Sequence, residues 1–232
     1  MTAIILQARL DSKRLPKKAL LPLNGKPIIF RVMEALNHVP ADLRILACPE
    51  DSLAAFSPIA EEAGYKIHTG PKEDVLERFC QVIRRFGIDH VIRATGDNPF
   101  VFADAAAAIN DEAVALNADY AGFLELPLGA GVESVSAVAL QRAAMEGATA
   151  YDREHVCPFL YNNADLYKLH RPAAPEKWRF PKIRLTVDTK KDYKMAQLLY
   201  SKLSNLGAEQ YQGSVIINKY QTLFGKKIGK SC

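Results

Sequence analysis

Short apolar runs that stop abruptly at turn-forming residues recur through the N-terminal part of the chain, and a segment of helical periodicity follows each. The runs are Ala3 to Leu6, Leu43 to Ala47, Tyr65 to His68 and His90 to Ala94, ended by Asp11, Ser12 and Pro16, by Pro49, Glu50 and Asp51, by Gly70 and Pro71, and by TGDNPF. Between them, Ile28, Ile29, Val32, Met33 and Leu36 share one helix face after Pro27, and Ser52 to Ala63 reads as a helix closed by Gly64. Val75, Leu76, Phe79, Val82, Ile83 and Phe86 make a third apolar face, opened by the acidic Glu73 and Asp74 and stopped by Gly87. Strand and helix alternating through short connections predict an α/β chain with a mostly parallel sheet covered on both faces. In such a sheet the loops leaving the carboxyl ends of the strands gather at one edge, where ligands bind.

The C-terminal part has a more α+β character. A helix is expected over Ala103 to Leu116, strands over Asp119 to Phe123 and Val132 to Val135, and helices over Ala137 to Gly147 and Asp152 to Asn162. Strand-like runs Leu166 to His170 and Ile183 to Val187 flank a Pro-rich segment from Pro172 to Pro181. A helix from Asp192 to Leu206, a short one after Gly213 and a frayed, solvated tail GKKIGKSC complete the chain. Residues 1–232 read as one domain with an embedded subdomain or arm at about Phe123 to Lys182.

Charge narrows the function classes. The formal net charge is only +4 over 232 residues, whereas a nucleic-acid binder carries a stronger basic footprint. No stretch approaches the roughly 18 apolar residues of a membrane span, and no secretory leader is visible, so a cytoplasmic protein is expected. Cys48, Cys80, Cys157 and Cys232 form neither a CxxC pair nor a regular framework, which argues for reduced thiols and against zinc.

The first strand exits into LQARLDSKRLPKK, which places Arg9, Lys13, Arg14, Lys17 and Lys18 within ten residues. Guanidinium forks and ammonium point charges suit a polyphosphate, although a solvated basic turn has the same composition. The loop has neither the GxxxxGK[ST] nor the GxGxxG phosphate cradle. Asp97 in GDNP also follows a strand, and those residues are equally common in turns. Asp188 in RLTVDTKKDY is either an N-cap or a metal ligand, and Glu133 in GAGVES is either a site residue or a solvated strand end. A basic loop with two strand-end aspartates is more specific than its parts, because Mg²⁺ takes one or two carboxylates together with substrate phosphates.

Taken in order, QARLDSKRLPKKALLPLNGKPII, GPKEDVLERF, IRATGDNPFV, YDREHVCPFLY and RLTVDTKKDY resemble the cytidylyltransferases of the spore-coat-polysaccharide type, relatives of the CMP-acylneuraminate and CMP-Kdo synthetases. The resemblance implies a three-layer Rossmann-like nucleotide-diphospho-sugar transferase fold. It implies transfer of CMP from CTP to a sugar-like, possibly acidic, or phosphorylated acceptor, with release of pyrophosphate. It places the CTP phosphates on Arg9, Ser12, Arg14 and Lys18, Mg²⁺ on Asp97 and Asp188, and Thr95 and Gly96 near the nucleotide. Arg14 and Lys18 would act on the leaving pyrophosphate, while Lys13 and Lys17 point to solvent. Arg153 and His155 would face the acceptor, against the alternative of a charged helix start capped by Asp152. A homodimer is also implied, with Trp178, Phe180 and Tyr161 as candidate anchors.

Asp11 and Lys17 stand where glycine is common in the resembling loops, and an acidic Asp11 beside a triphosphate is unfavourable unless it turns away or is offset. That departure keeps a non-catalytic nucleotide-binding module open as an alternative. A glycosyltransferase of the related fold is the other, but the DxD pair such enzymes use for metal is missing from the sequence.

Overall fold

In the computed structural model, which describes residues 1–225, the apolar runs form the centre of one seven-stranded sheet. In chain order the elements are β1 (Thr2–Gln7), a small hairpin of β2 (Pro22–Leu23) and β3 (Lys26–Pro27), α1 (Ile28–Leu36), β4 (Leu43–Pro49), α2 (Leu53–Glu62) and β5 (Lys66–Gly70). There follow α3 (Val75–Phe86), β6 (His90–Thr95), α4 (Ala103–Leu116), β7 (Tyr120–Ala121), β8 (Glu133–Ser136) and α5 (Ala137–Met145). The last are α6 (Ala150–His155), α7 (Pro158–Asn162), β9 (Leu169–His170), α8 (Lys190–Leu203) and α9 (Gly213–Phe224). The strand order is β5-β4-β1-β6-β8-β7-β9. Strands β5, β4, β1 and β6 run parallel, and β8 is antiparallel to both β6 and β7.

Strand alternation divides the core. Ile4 and Leu6 of β1 pack with α1, α2, α4, α8 and α9 on one face, while Ala3 and Ile5 pack with α3, α5 and α7 on the other. Three layers result. After β1 the chain moves outward through β4 and β5 and then crosses back to place β6 on the other side of β1. That reversal opens a crevice at the carboxyl ends of β1 and β6.

Local signals explain the well-defined ends. The Asp74 side chain accepts the Glu77 N–H at 2.9 Å to cap α3, and Gly87 ends that helix at φ 64°. Several expectations are corrected. The run Ile183 to Val187 is extended but belongs to no ladder; a single bridge joins Leu128 to Arg184. The helix expected over Asp152 to Asn162 is two helices, because Pro158 starts a new one and Val156 breaks the first at φ 73°. Thr149, not Asp152, is the N-cap there, and Asp152 closes the capping box from the third position. Likewise Thr189 with Asp192 caps α8, so Asp188 is not a cap.

Segment 123–182 contributes β8 to the sheet beside β6 and packs α5 and α6 against α3. Trp178 is 3% exposed, with its indole N–H donating to Asp104 at 3.1 Å, so it is a core residue and not an interface anchor. Phe180 and Tyr161 are partly buried against the two cores. The tail after Gly225 lies outside the described residues, as does Cys232; Cys48, Cys80 and Cys157 are buried free thiols.

Candidate active site

The crevice is a cavity of about 690 Å³. Its walls bring together Arg9, Ser12, Arg14 and Lys18 from the loop after β1, Thr95, Gly96 and Asp97 from the end of β6, Asp188 before α8, and His155 from α6. The loop stays fixed at the crevice because Leu15 and Ala19 are buried beneath it, which leaves Arg9, Lys13, Arg14 and Lys17 exposed. Gly96 is required by close approach: its N–H bonds Gln7 O at 2.9 Å, and a Cβ there would stand 2.9 Å from that of Ala8. Asp188 arrives on the extended 183–187 stretch, which is held by Leu185 and Thr186 N–H to Leu128 O and by Val187 N–H to Asp97 O at 2.9 Å. Gly129 permits this crossing at φ 90°, since a Cβ would come within 2.6 Å of Thr186 N.

At the centre is Lys18. Its ammonium donates to Asp97 Oδ2 at 2.6 Å and to Asp188 Oδ1 at 2.7 Å, so residues from β6 and from the approach to α8 share one cation. Arg14 adds a second cation to Asp188 Oδ1 at 3.1 Å. The remaining oxygens are tethered. Thr95 donates its hydroxyl to Asp97 Oδ1 at 2.8 Å, and Arg184 donates to Asp188 Oδ2 at 2.7 Å. Burial pushes the Asp188 carboxyl up, but Lys18, Arg14 and Arg184 together hold it below the usual carboxylate value. Two anionic oxygens converging on one cation make a fit for a divalent ion whose other ligands come from phosphates and water. Among the described residues no group of three or more His, Cys, Asp or Glu could hold a metal by itself.

Asp11 lines the cavity, and its charge is offset by Lys72, which pairs with it and also bonds Asp51 at 2.7 Å. Lys17 adopts φ 52°, ψ 31°, the left-handed conformation in which glycine is unstrained. Both departures from the resembling loops are thus accommodated without disturbing Lys18.

The sequence model of the cytidylyltransferase family matches residues 3–223. The spore coat polysaccharide biosynthesis protein SpsF of Bacillus subtilis is 32% identical over 209 residues, 85% of each chain. This chain belongs to the cytidylyltransferase family. Among solved structures, a cytidylyltransferase from Leptospira borgpetersenii has a TM-score of 0.85 at 21% identity, covering 100% of this chain and 98% of its own. A CMP:2-keto-3-deoxy-manno-octonic acid synthetase complexed with CTP has a TM-score of 0.67 at 17% identity, covering 87% of this chain and 98% of its own. These two likenesses show the nucleotide-diphospho-sugar transferase fold.

Arg153 and His155, expected to face the acceptor, and the candidate site residue Glu133 are placed differently from one another. His155 lines the cavity and packs on Tyr151 with ring centroids 4.3 Å apart. Arg153 bonds Asp74 at 2.7 Å and the carbonyls of Ala144 and Ala148, so its guanidinium ties α6 to the start of α3. Glu133 pairs with Arg93 and accepts the Tyr120 hydroxyl at 2.9 Å, making a half-buried brace under the crevice, not a solvated strand end. Sequence reasoning missed four cations. An arginine inside the apolar run HVIRA was a readable signal for Arg93, and the four-residue spacing of Arg184, Asp188 and Asp192 was another. Lys72 and Arg78 lie in GPKEDVLERF, one of the stretches that carry the resemblance, but no local pattern singles them out there. Arg78 is a cavity-lining arginine only 2% exposed, whose Nη1 donates to Pro71 O at 2.6 Å.

Proposed function

We propose that the chain transfers CMP from CTP to a sugar-like or phosphorylated acceptor and releases pyrophosphate. The observation that carries this reading is Lys18 bridging Asp97 and Asp188 at the foot of the cationic loop. An acceptor oxygen attacks the α-phosphorus, the bond from that phosphorus to the α–β bridging oxygen breaks, and both electrons leave with pyrophosphate. Arg14 and Lys18 face the negative charge that grows on the leaving group, where donors already in place act without reorganising. Asp97 and Asp188 would hold Mg²⁺, which would polarise nucleotide oxygens and offset charge in the transition state. With phosphates bound, the ammonium of Lys18 has a second class of anionic partner and can leave the carboxylates to the metal. The Thr95 hydroxyl keeps Asp97 turned toward that position.

His155 is proposed on the acceptor side of the cavity. The family resemblance to enzymes of acidic sugars makes a ring N–H donor there suitable. We place the homodimer surface on the same 123–182 segment, now on Val138 and Met145, which are 71% and 80% exposed on one face of α5. The deciding experiment is pyrophosphate release from CTP, with and without Mg²⁺, across acidic sugars and small phosphorylated alcohols, with the other nucleoside triphosphates in parallel. Release with one acceptor and CTP alone supports the reading, and binding of CTP without release across the panel overturns it. Light scattering at micromolar concentration tests the dimer; a monomer removes it.

A further inference from the structure

Arg184 is the arginine of RLTVD that the proposed reaction leaves without a role. Its Nη2 donates to Asp188 Oδ2 at 2.7 Å, and its Nε and Nη2 reach Asp192 Oδ1 and Oδ2 at 3.2 and 3.4 Å. Asp192 is itself fixed, since its Oδ2 also accepts the N–H groups of Asp188 at 3.1 Å and Thr189 at 2.9 Å in the capping box of α8. A rigid sequence of contacts therefore runs from the N-terminus of α8 through Asp192 and Arg184 to one oxygen of Asp188. The other oxygen, Oδ1, is left to the cleft and meets Lys18 and Arg14.

Asp97 is dressed in the same way. Its Oδ1 accepts the hydroxyl of Thr95, whose Oγ1 in turn accepts from Asn98 at 2.7 Å, and its Oδ2 faces Lys18. Each carboxylate has one oxygen committed to a donor from its own stretch of chain and one offered to the shared cation. A carboxylate free to rotate could engage two cations with both oxygens. One clamped on Oδ2 offers a single anionic oxygen in a fixed direction.

We propose that Arg184 is a positioning residue for the proposed metal site: it fixes Asp188 as a one-oxygen ligand, and Asp192 fixes Arg184 from behind. The inference rests on the metal-dependent CTP reading, and it assigns Arg184 no contact with nucleotide. Donors held behind a metal-binding carboxylate typically change metal affinity or activity by roughly 10- to 100-fold when removed. An ammonium at this position keeps the charge but loses the fork that spans Asp188 and Asp192.

The test is calorimetric binding of CTP to the full chain in Mn²⁺ and, separately, in EDTA, for wild type, Arg184→Met and Arg184→Lys. In Arg184→Met, CTP affinity in Mn²⁺ should fall by about tenfold or more while affinity in EDTA stays within about twofold. Arg184→Lys should recover part of the Mn²⁺-supported affinity, and the Mg²⁺ concentration for half-maximal pyrophosphate release should rise in both variants. Equal losses with and without metal would make Arg184 a merely structural tie and overturn the proposal, as would no loss in either condition. If Arg184→Met does not fold, the same comparison is read from Arg184→Lys. A wild type that binds no CTP in either condition overturns the functional reading itself, whereas with a wild type that binds CTP in Mn²⁺ the variants bear on Arg184 alone.

Discussion

The loop wall of the cleft is cationic and its floor is led by two carboxylates, and the two are built in opposite ways. On the loop, Arg9, Lys13, Arg14 and Lys17 are exposed, and two of them rest on carboxylates across open space: Arg9 on Glu154 at 3.1 Å and Arg14 on Asp188 at 3.1 Å. Ion pairs of this exposed kind contribute little to stability and exchange partners easily. On the floor, Thr95, Asp97, Arg184 and Asp188 are partly buried and joined by hydrogen bonds near 2.7 to 2.8 Å. Lys18 belongs to both regions, since the loop carries it and the floor holds it. The difference separates two tasks. Under the proposed function, a floor fixed in advance would supply geometry, while a wall of loosely paired cations would turn to the phosphates that arrive.

The largest effect is expected from breaking the floor. Asp97→Asn and Asp188→Asn should each lower turnover on the order of 10²- to 10³-fold, the range typical of losing a group fixed against developing charge. Folding should survive, because both side chains lie at the cleft and not in either core; thermal melts beside pyrophosphate-release rates check this. The depressed ionisation of Asp188 sets the pH window. A carboxyl lowered by folding contributes stability that is fully present above the ordinary value near 3.8 and is lost as pH falls through the folded value. Activity lost between pH 5 and 7 therefore has its origin elsewhere than Asp188. A titration of Asp188 followed by NMR with a midpoint above 5 would contradict this.

How much of this contrast is legible in sequence follows the same division. The parallel half reads well because its central strands β1, β4 and β6 are buried on both faces and α3 carries its own punctuation in Asp74 and Gly87. Helix α4 is legible over the whole of Ala103–Leu116 because that stretch is rich in alanine. The stretch Ile183 to Val187 reads as a strand because Ile183, Leu185 and Val187 alternate, but alternation reports burial and not partnership. Its one bridge, to Leu128, depends on Gly129 at a positive φ far away in sequence. Asp97 and Asp188 were visible as strand-end carboxylates, but their common cation was not. That contact is made by sheet order, which no local pattern encodes.

Breaking the wall at its most specific point should cost less. Arg14→Ala should lower kcat and weaken CTP binding together, by on the order of 10²-fold in kcat/KM, and Arg14→Lys should restore only part. Because the Arg14 side chain is 66% exposed, its removal should leave the melting temperature within about 1 °C. A large stability loss would mean that the wall is built like the floor.

Smaller still is the effect expected at Lys72, which offsets the charge of Asp11 from outside the loop. Lys72→Ala should raise KM for CTP several-fold with little change in kcat, and the increase should shrink as salt rises from about 0.05 to about 0.5 M. Lys72→Ala combined with Asp11→Gly should return KM toward the wild-type value. If the double variant is no better than the single one, Lys72 acts on the nucleotide directly and not through Asp11.

Lys17 sharpens the comparison from the opposite side, because it is a cation of the wall whose backbone conformation, not its charge, precedes the residue that reaches the floor. At φ 52° it sets the turn that delivers Lys18 to the two carboxylates, and its side chain is exposed. A side chain in the left-handed region costs roughly 1 kcal/mol, which Lys17→Gly relieves. Glycine also gives the unfolded chain more freedom, a cost of roughly 0.5 to 1 kcal/mol, so the two nearly cancel. The melting temperature should therefore move by less than about 2 °C. Turnover should stay within about twofold, with a modest, salt-sensitive rise in KM from the lost charge. Lys17→Ala keeps the backbone strain and removes the same charge, so its rates should match those of Lys17→Gly. A Lys17→Ala variant as damaged as Arg14→Ala would show that the wall's cations are not divided between phosphate binding and solvent as the resemblance implies; the structure already departs from that division at Lys13, which lines the cavity.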